Sequence, residues 1–230
     1  MTLRGLSTSS LAMVYLSMSS DEWFRRTTWT EEDRSDFNAR LKRTRKHNRP
    51  QYLRIQAAHL AGIGNHAAAL ELLEQFLGVD DASLELAQAQ LQRAESLLAT
   101  VNEADAIDAF RASLNAERAR PNVQTETWLL YPWYIVETQN EQLYSEAHAI
   151  LREFRELRSS AFPVSDYRFH CVKAVLLAHE GELAEARTHA EQALVAANAE
   201  HSGYRYHPES GLVQDTDTTV HQRVSEIAAV

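Results

Sequence analysis

Four alanines, Ala69, Ala106, Ala147 and Ala186, each head the same kind of helical stripe. Ala69 is followed by Leu73, Phe76 and Leu77, Ala106 by Phe110 and Leu114, Ala147 by Leu151 and Phe154, and Ala186 by Ala190, Ala193 and Leu194. Offsets of four and seven or eight place these residues on one face of a helix. A further helix precedes each stripe. It carries an apolar residue nine positions before the alanine (Leu60, Leu97, Leu177) and a small or apolar one twelve before it (Ala57, Ala94, Ile135, Ala174). The repeated unit is therefore a helical hairpin, and by their numbers the alanines stand 37, 41 and 39 residues apart. A small residue at a crossing lets two helices approach closely, and the large residues beyond it fill the space beside the crossing. One hairpin cannot bury its own apolar face, so the pattern demands a stack.

Composition agrees with an all-α fold. The chain has 230 residues, 44% of them hydrophobic, with only 7 Gly and 5 Pro, a balance that favours helix over strand. The single cysteine, Cys171, excludes an internal disulfide and a multi-cysteine zinc site, which suits a cytoplasmic protein. No stretch approaches the ~20 apolar residues of a membrane span. Residues 1–20 read as a loose extension, with Met18 a plausible start; residues 21–230 read as one helical-repeat domain, with repeats over 50–200. Thr30 is placed as the N-cap of an extra helix within 31–48, where Glu31, Glu32 and Asp33 suit the first turn. Val220, Val224 and Ile227 mark a final capping helix.

The chain resembles the tetratricopeptide repeat family, most clearly at AAHLAGIGNHAAALELLEQFL (57–77) and AVLLAHEGELAEARTHAEQAL (174–194). Each has a turn glycine, Gly64 or Gly181, five before the alanine; the middle hairpins have Val101 and Gln142 there, and Thr138 replaces the apolar residue of the third first-helix. The resemblance implies an α-solenoid of about four hairpins that binds a protein or peptide ligand on the face built by the first helices. Arg54 and Arg168 fall where members that clamp a carboxylate carry charged residues. Ala58, Gln88 and Gln92 stand at the other clamp positions and depart from that pattern.

Other chemistry finds little support. Among ten histidines, His179-Glu180 lacks the second His four positions on that a zinc helix needs, and His201, His207 and Glu209 share a loop that defines no tetrahedron. No metal, cofactor or catalytic residue is expected, although a helical enzyme with an unrecognised site stays as an alternative. Cys171 beside His170 reads as a buried structural thiol, because helix neighbours point about 100° apart. The net charge is -9, yet seven of 23 basic residues lie between Arg40 and Arg54, so nucleic acid is the lesser alternative partner. In TETWLLYPWYIVE (125–137), Pro132 should kink or restart a helix, and Trp128, Tyr131, Trp133 and Tyr134 are many rings for one core stripe, so either some of them face a groove or all four are core. Trp133 joins Arg54 and Arg168 as a candidate partner-binding residue. The connector HSGYRYHPESGLV (201–213) is expected to strap the last hairpin through Tyr204, Tyr206, Leu212 and Val213.

Overall fold

The computed structural model describes residues 22–79, 84–157 and 162–229, and every regular element among them is a helix. In chain order these are α1 (Glu31–Arg43), α2 (Arg49–Gly62), α3 (His66–Leu77), α4 (Leu86–Ala99), α5 (Glu103–Ala119), α6 (Thr127–Glu137), α7 (Tyr144–Leu157), α8 (Pro163–Glu180), α9 (Leu183–Ala197) and α10 (Thr219–Ala229). The expected extension at 1–20 and the side chain of Phe154 lie outside what is described. The described residues fall into two compact units, which divide between Thr127 and Trp128.

In the first unit, α1 starts at a capping box: Asp33 N–H donates to Thr30 Oγ1, and the Asp33 carboxylate accepts from Thr30 N–H. The backbone N–H and hydroxyl of Thr30 hold the Asp33 carboxyl at about 2. Helix α2 packs on α3, α3 on α4 and α4 on α5, and α2 also meets α4. Their core joins Phe37 of α1, Leu53, Ala57 and Leu60 of α2, and Ala69, Leu72, Leu73 and Phe76 of α3. The second unit centres on the α8–α9 hairpin, with α7 packed on α8 and α10 on both α8 and α9. Val220 and Val224 of α10 are fully buried, so this last helix covers the final hairpin as its spacing requires.

Four turns close the hairpins with one backbone device. Gly64, Val101, Gln139 and Gly181 all have φ between 55° and 84°. In each turn this residue's N–H reaches the carbonyl three back, and the next residue's N–H reaches the carbonyl five back. The longer bonds are Asn65 to Leu60 at 2.8 Å, Asn102 to Leu97 at 2.9 Å, Asn140 to Ile135 at 3.1 Å and Glu182 to Leu177 at 3.0 Å. This is the Schellman motif, which satisfies carbonyls that a helix end leaves open. The four key alanines are all 0% exposed.

The turns correct the register of the third hairpin. Its left-handed residue is Gln139 in place of Gln142, and a short 3-10 turn, Glu141–Leu143, is inserted before α7. Ile135 thereby takes the role of Leu60, Leu97 and Leu177, and Pro132 sits where the other first helices have Ala57, Ala94 and Ala174. Helix α6 runs through Pro132 without restarting.

Candidate functional site

The first-helix face of the first unit contains Arg54, and the fold has already given it a partner. Its guanidinium pairs with Glu85 at the head of α4, with 19% and 26% of the two side chains exposed. Ala58 beside it is half-buried, as are Gln88 and Gln92 on α4. Gln92 Oε1 is buried and accepts no hydrogen bond among the described residues. An acidic ligand reaching Arg54 must displace Glu85.

In the second unit Trp133 is 6% exposed, and its ring centroid lies 5.7 Å from that of Tyr167. Trp128, Tyr131 and Tyr134 are 4%, 0% and 5% exposed, so none of the four rings is an exposed binding element. The reason is legible in α6 itself, which is apolar on every side and is therefore enclosed on every side. Trp133 supports the unit from within. Arg168 is half-buried on α8, one residue past Tyr167.

One set of ionisable groups links α6, α8 and the chain leading into α10. Tyr167 Oη is 3.1 Å from His221 Nδ1, and Tyr167 also hydrogen-bonds the Cys171 thiol and Thr218. Burial first, and then Cys171, push the phenol far above its ordinary range. Burial pushes the thiol up to about 12 despite the Tyr167 bond, and Cys171 is 0% exposed. Glu137 is also raised by burial, opposed by its bond from Trp133 and reinforced by Asp215. These shifts all favour neutral forms, so the cluster is a packed hydrogen-bond network without a thiolate or another ready nucleophile.

A second pair lies between α8 and α9. His170 and His189 face each other through Nδ1 atoms 2.8 Å apart, and the Phe169 ring stands nearly perpendicular to each imidazole. Burial, then His189, hold His170 down to about 4. Sequence reasoning passed over this pair because its members are nineteen residues apart on different helices. Each heads toward its partner only once the Gly181 turn has closed.

No group of three His, Cys, Asp or Glu among the described residues is placed to hold a metal ion. His201 Nδ1 accepts from Gly203 N–H at 2.9 Å, and the loop around it closes on itself through Ser202 N–H to Pro208 O at 2.8 Å. No described helix is long and apolar enough to cross a membrane. Comparison with models of protein families, with curated proteins and with solved structures finds no match to this chain.

Proposed function

We propose that the chain is a non-enzymatic, tetratricopeptide-like scaffold that binds a protein or peptide ligand on the faces of its first helices. The observation that carries this reading is the fourfold turn at Gly64, Val101, Gln139 and Gly181, each followed by a second helix with a fully buried alanine. Repeated hairpins bury their apolar stripes against one another and leave first-helix polar residues facing outward, a layout that serves recognition. The reading is reinforced by the contact of α2 with α4, two successive first helices. The step from repeat to binding is one of fold analogy.

On this reading Arg168 and Arg54 contact the ligand, Arg54 by exchanging Glu85 for a ligand carboxylate, and Trp133 stiffens the second unit from inside. The test is an array of acidic and neutral peptides probed with the full chain and with Arg54→Glu and Arg168→Glu variants. Peptides held by the parent and released by either variant support the reading. Identical peptide profiles for all three proteins overturn the placement of the site.

A further inference from the structure

The stretch from Arg40 to Arg54 contains seven cations and no carboxylate, so 23 less 7 leaves 16 basic residues against all 32 acidic ones elsewhere. Four of the seven are engaged. Arg54 pairs with Glu85, Arg40 lies 3.0 Å from Asp36, Arg49 donates to the Lys42 carbonyl at 2.8 Å, and Arg43 donates through Nε to the Ala39 carbonyl at 3.1 Å. Lys42, Arg43, Arg45 and Lys46 are exposed at the C-terminal end of α1 and just beyond it, and no carboxylate of the described residues lies within 4 Å of them. The helix dipole tolerates this crowding, and the charges stay available to an anion.

The fold places an aromatic group beside them. An open cavity of about 390 Å³ is walled by Trp23, Asp36, Arg40, Arg43 and Thr44. Trp23 is half-buried, and the rings against it, Phe24, Phe37 and Tyr52, meet it at 85°, 48° and 59°, so none of the three lies flat on the indole. Asp36 does not make the cavity repel anions, because Arg40 and Arg26 both bond its carboxylate. Segment 22–29 is fixed in this position by the amide of Gln56, which accepts from Arg26 N–H at 3.0 Å and donates to Arg26 O at 2.8 Å.

We propose that this corner of the first unit binds single-stranded nucleic acid, with a base against Trp23 and backbone phosphates on Arg43, Arg45 and Lys46. An aromatic face beside a short run of unneutralised cations is the combination that single strands use, since every base has a π-face and every phosphate a charge. An acidic peptide would use the cations and leave the indole idle. The proposal is independent of the first-helix faces and of any ligand they hold.

The test is fluorescence anisotropy of labelled oligo-dT and oligo-rU of twenty nucleotides with the full chain, from 25 to 300 mM salt. The expected result is binding at low salt that weakens with a log–log slope of about −2, as for three phosphates on a single strand. Arg45→Glu/Lys46→Glu should weaken binding at least tenfold, and both side chains are exposed, so the fold is not at risk. Trp23→Leu, checked for native helicity by circular dichroism, should weaken binding several-fold without changing the slope. No binding at 25 mM salt, or binding unchanged in the double variant, overturns the proposal. So does displacement of the oligonucleotide by polyglutamate at equal charge concentration, which would assign the patch to an acidic protein.

Discussion

His170 and His189 share one hydrogen bond between two Nδ1 atoms, 2.8 Å apart, so one imidazole donates and the other must remain an unprotonated acceptor. Protonating both rings removes the acceptor and sets two charges together. His170 is held down to about 4, chiefly by burial and then by His189 and Arg155, against the pull of Asp166. His189 is lowered too, by burial, Lys173 and Arg155, with Glu185 opposing. A histidine with a depressed folded-state pKa takes up its proton in the unfolded chain first, so stability is lost as pH falls from about 6.5 toward 4. Urea unfolding at pH 7, 5.5 and 4.5 should show the parent losing about 2 kcal/mol more than His170→Gln over that range. Parallel losses in the two proteins would show that the pair does not govern the acid limb.

The turns make a prediction of opposite sign at equivalent positions. Val101 occupies the left-handed region at φ 60° and is 71% exposed, so its β-branched side chain bears strain without a packing return. Left-handed backbone costs a side-chain-bearing residue about 1–2 kcal/mol, and glycine's larger unfolded-state entropy offsets about half of that. Val101→Gly should therefore raise stability by about 0.5–1 kcal/mol, read as a higher urea midpoint. Gly181→Ala should lower it by about 1 kcal/mol: a Cβ there meets nothing within 4 Å, and its φ of +84° supplies the cost.

These turns also show what the sequence could and could not disclose. Ala69, Ala106, Ala147 and Ala186 were legible because spacing along a helix fixes which residues share a face, and all four are fully buried. The third turn was misplaced by three residues because Gln139 has no glycine to announce it; its left-handed backbone is set by the bonds to Val136 and Ile135. The sequence leaves open whether Trp133 faces a groove or the core, because ring count along α6 does not say how many sides of a helix are covered. Arg54 was located correctly on α2, but its partner Glu85 stands thirty-one residues away, and only folding brings the charges together. Long-range pairs such as His170 with His189 and Gln56 with Arg26 carry no local pattern.

Gln56 ties segment 22–29 to α2 through its buried amide. It is 0% exposed, and both ends of its amide bond the Arg26 backbone. Gln56→Leu keeps the volume and strands the half-buried N–H and C=O of Arg26, a loss of about 1–3 kcal/mol. Thermal denaturation should show it, and tryptophan emission should shift to longer wavelength as Trp23 and Trp29 gain water. Gln56→Glu, which can still accept from Arg26 N–H, should cost less.

The connector 201–213 gives the sharpest contrast between expectation and fold. Tyr206 was placed as an anchor, yet it is 80% exposed, and its neighbour Tyr204, 46% exposed, touches only the edge of the unit through Phe162 at 5.1 Å. The fixed point is Gly211. Its carbonyl accepts from Val164 N–H at 2.8 Å, tying the connector to the first turn of α8. Its φ is +71°, and a Cβ built there lies 2.5–2.6 Å from Phe162 Cβ, Cγ and Cδ1. Because Phe162 Cβ is itself among those atoms, turning the ring cannot relieve the clash, and the backbone must part. Gly211→Ala should therefore cost about 2–4 kcal/mol through strain and overpacking together, whereas Tyr206→Ala should stay within about 0.5 kcal/mol of the parent. Paired urea titrations decide the matter: equal midpoints for the two variants would mean that the connector is not held at Gly211, and a larger loss for Tyr206→Ala would restore the tyrosine as the anchor.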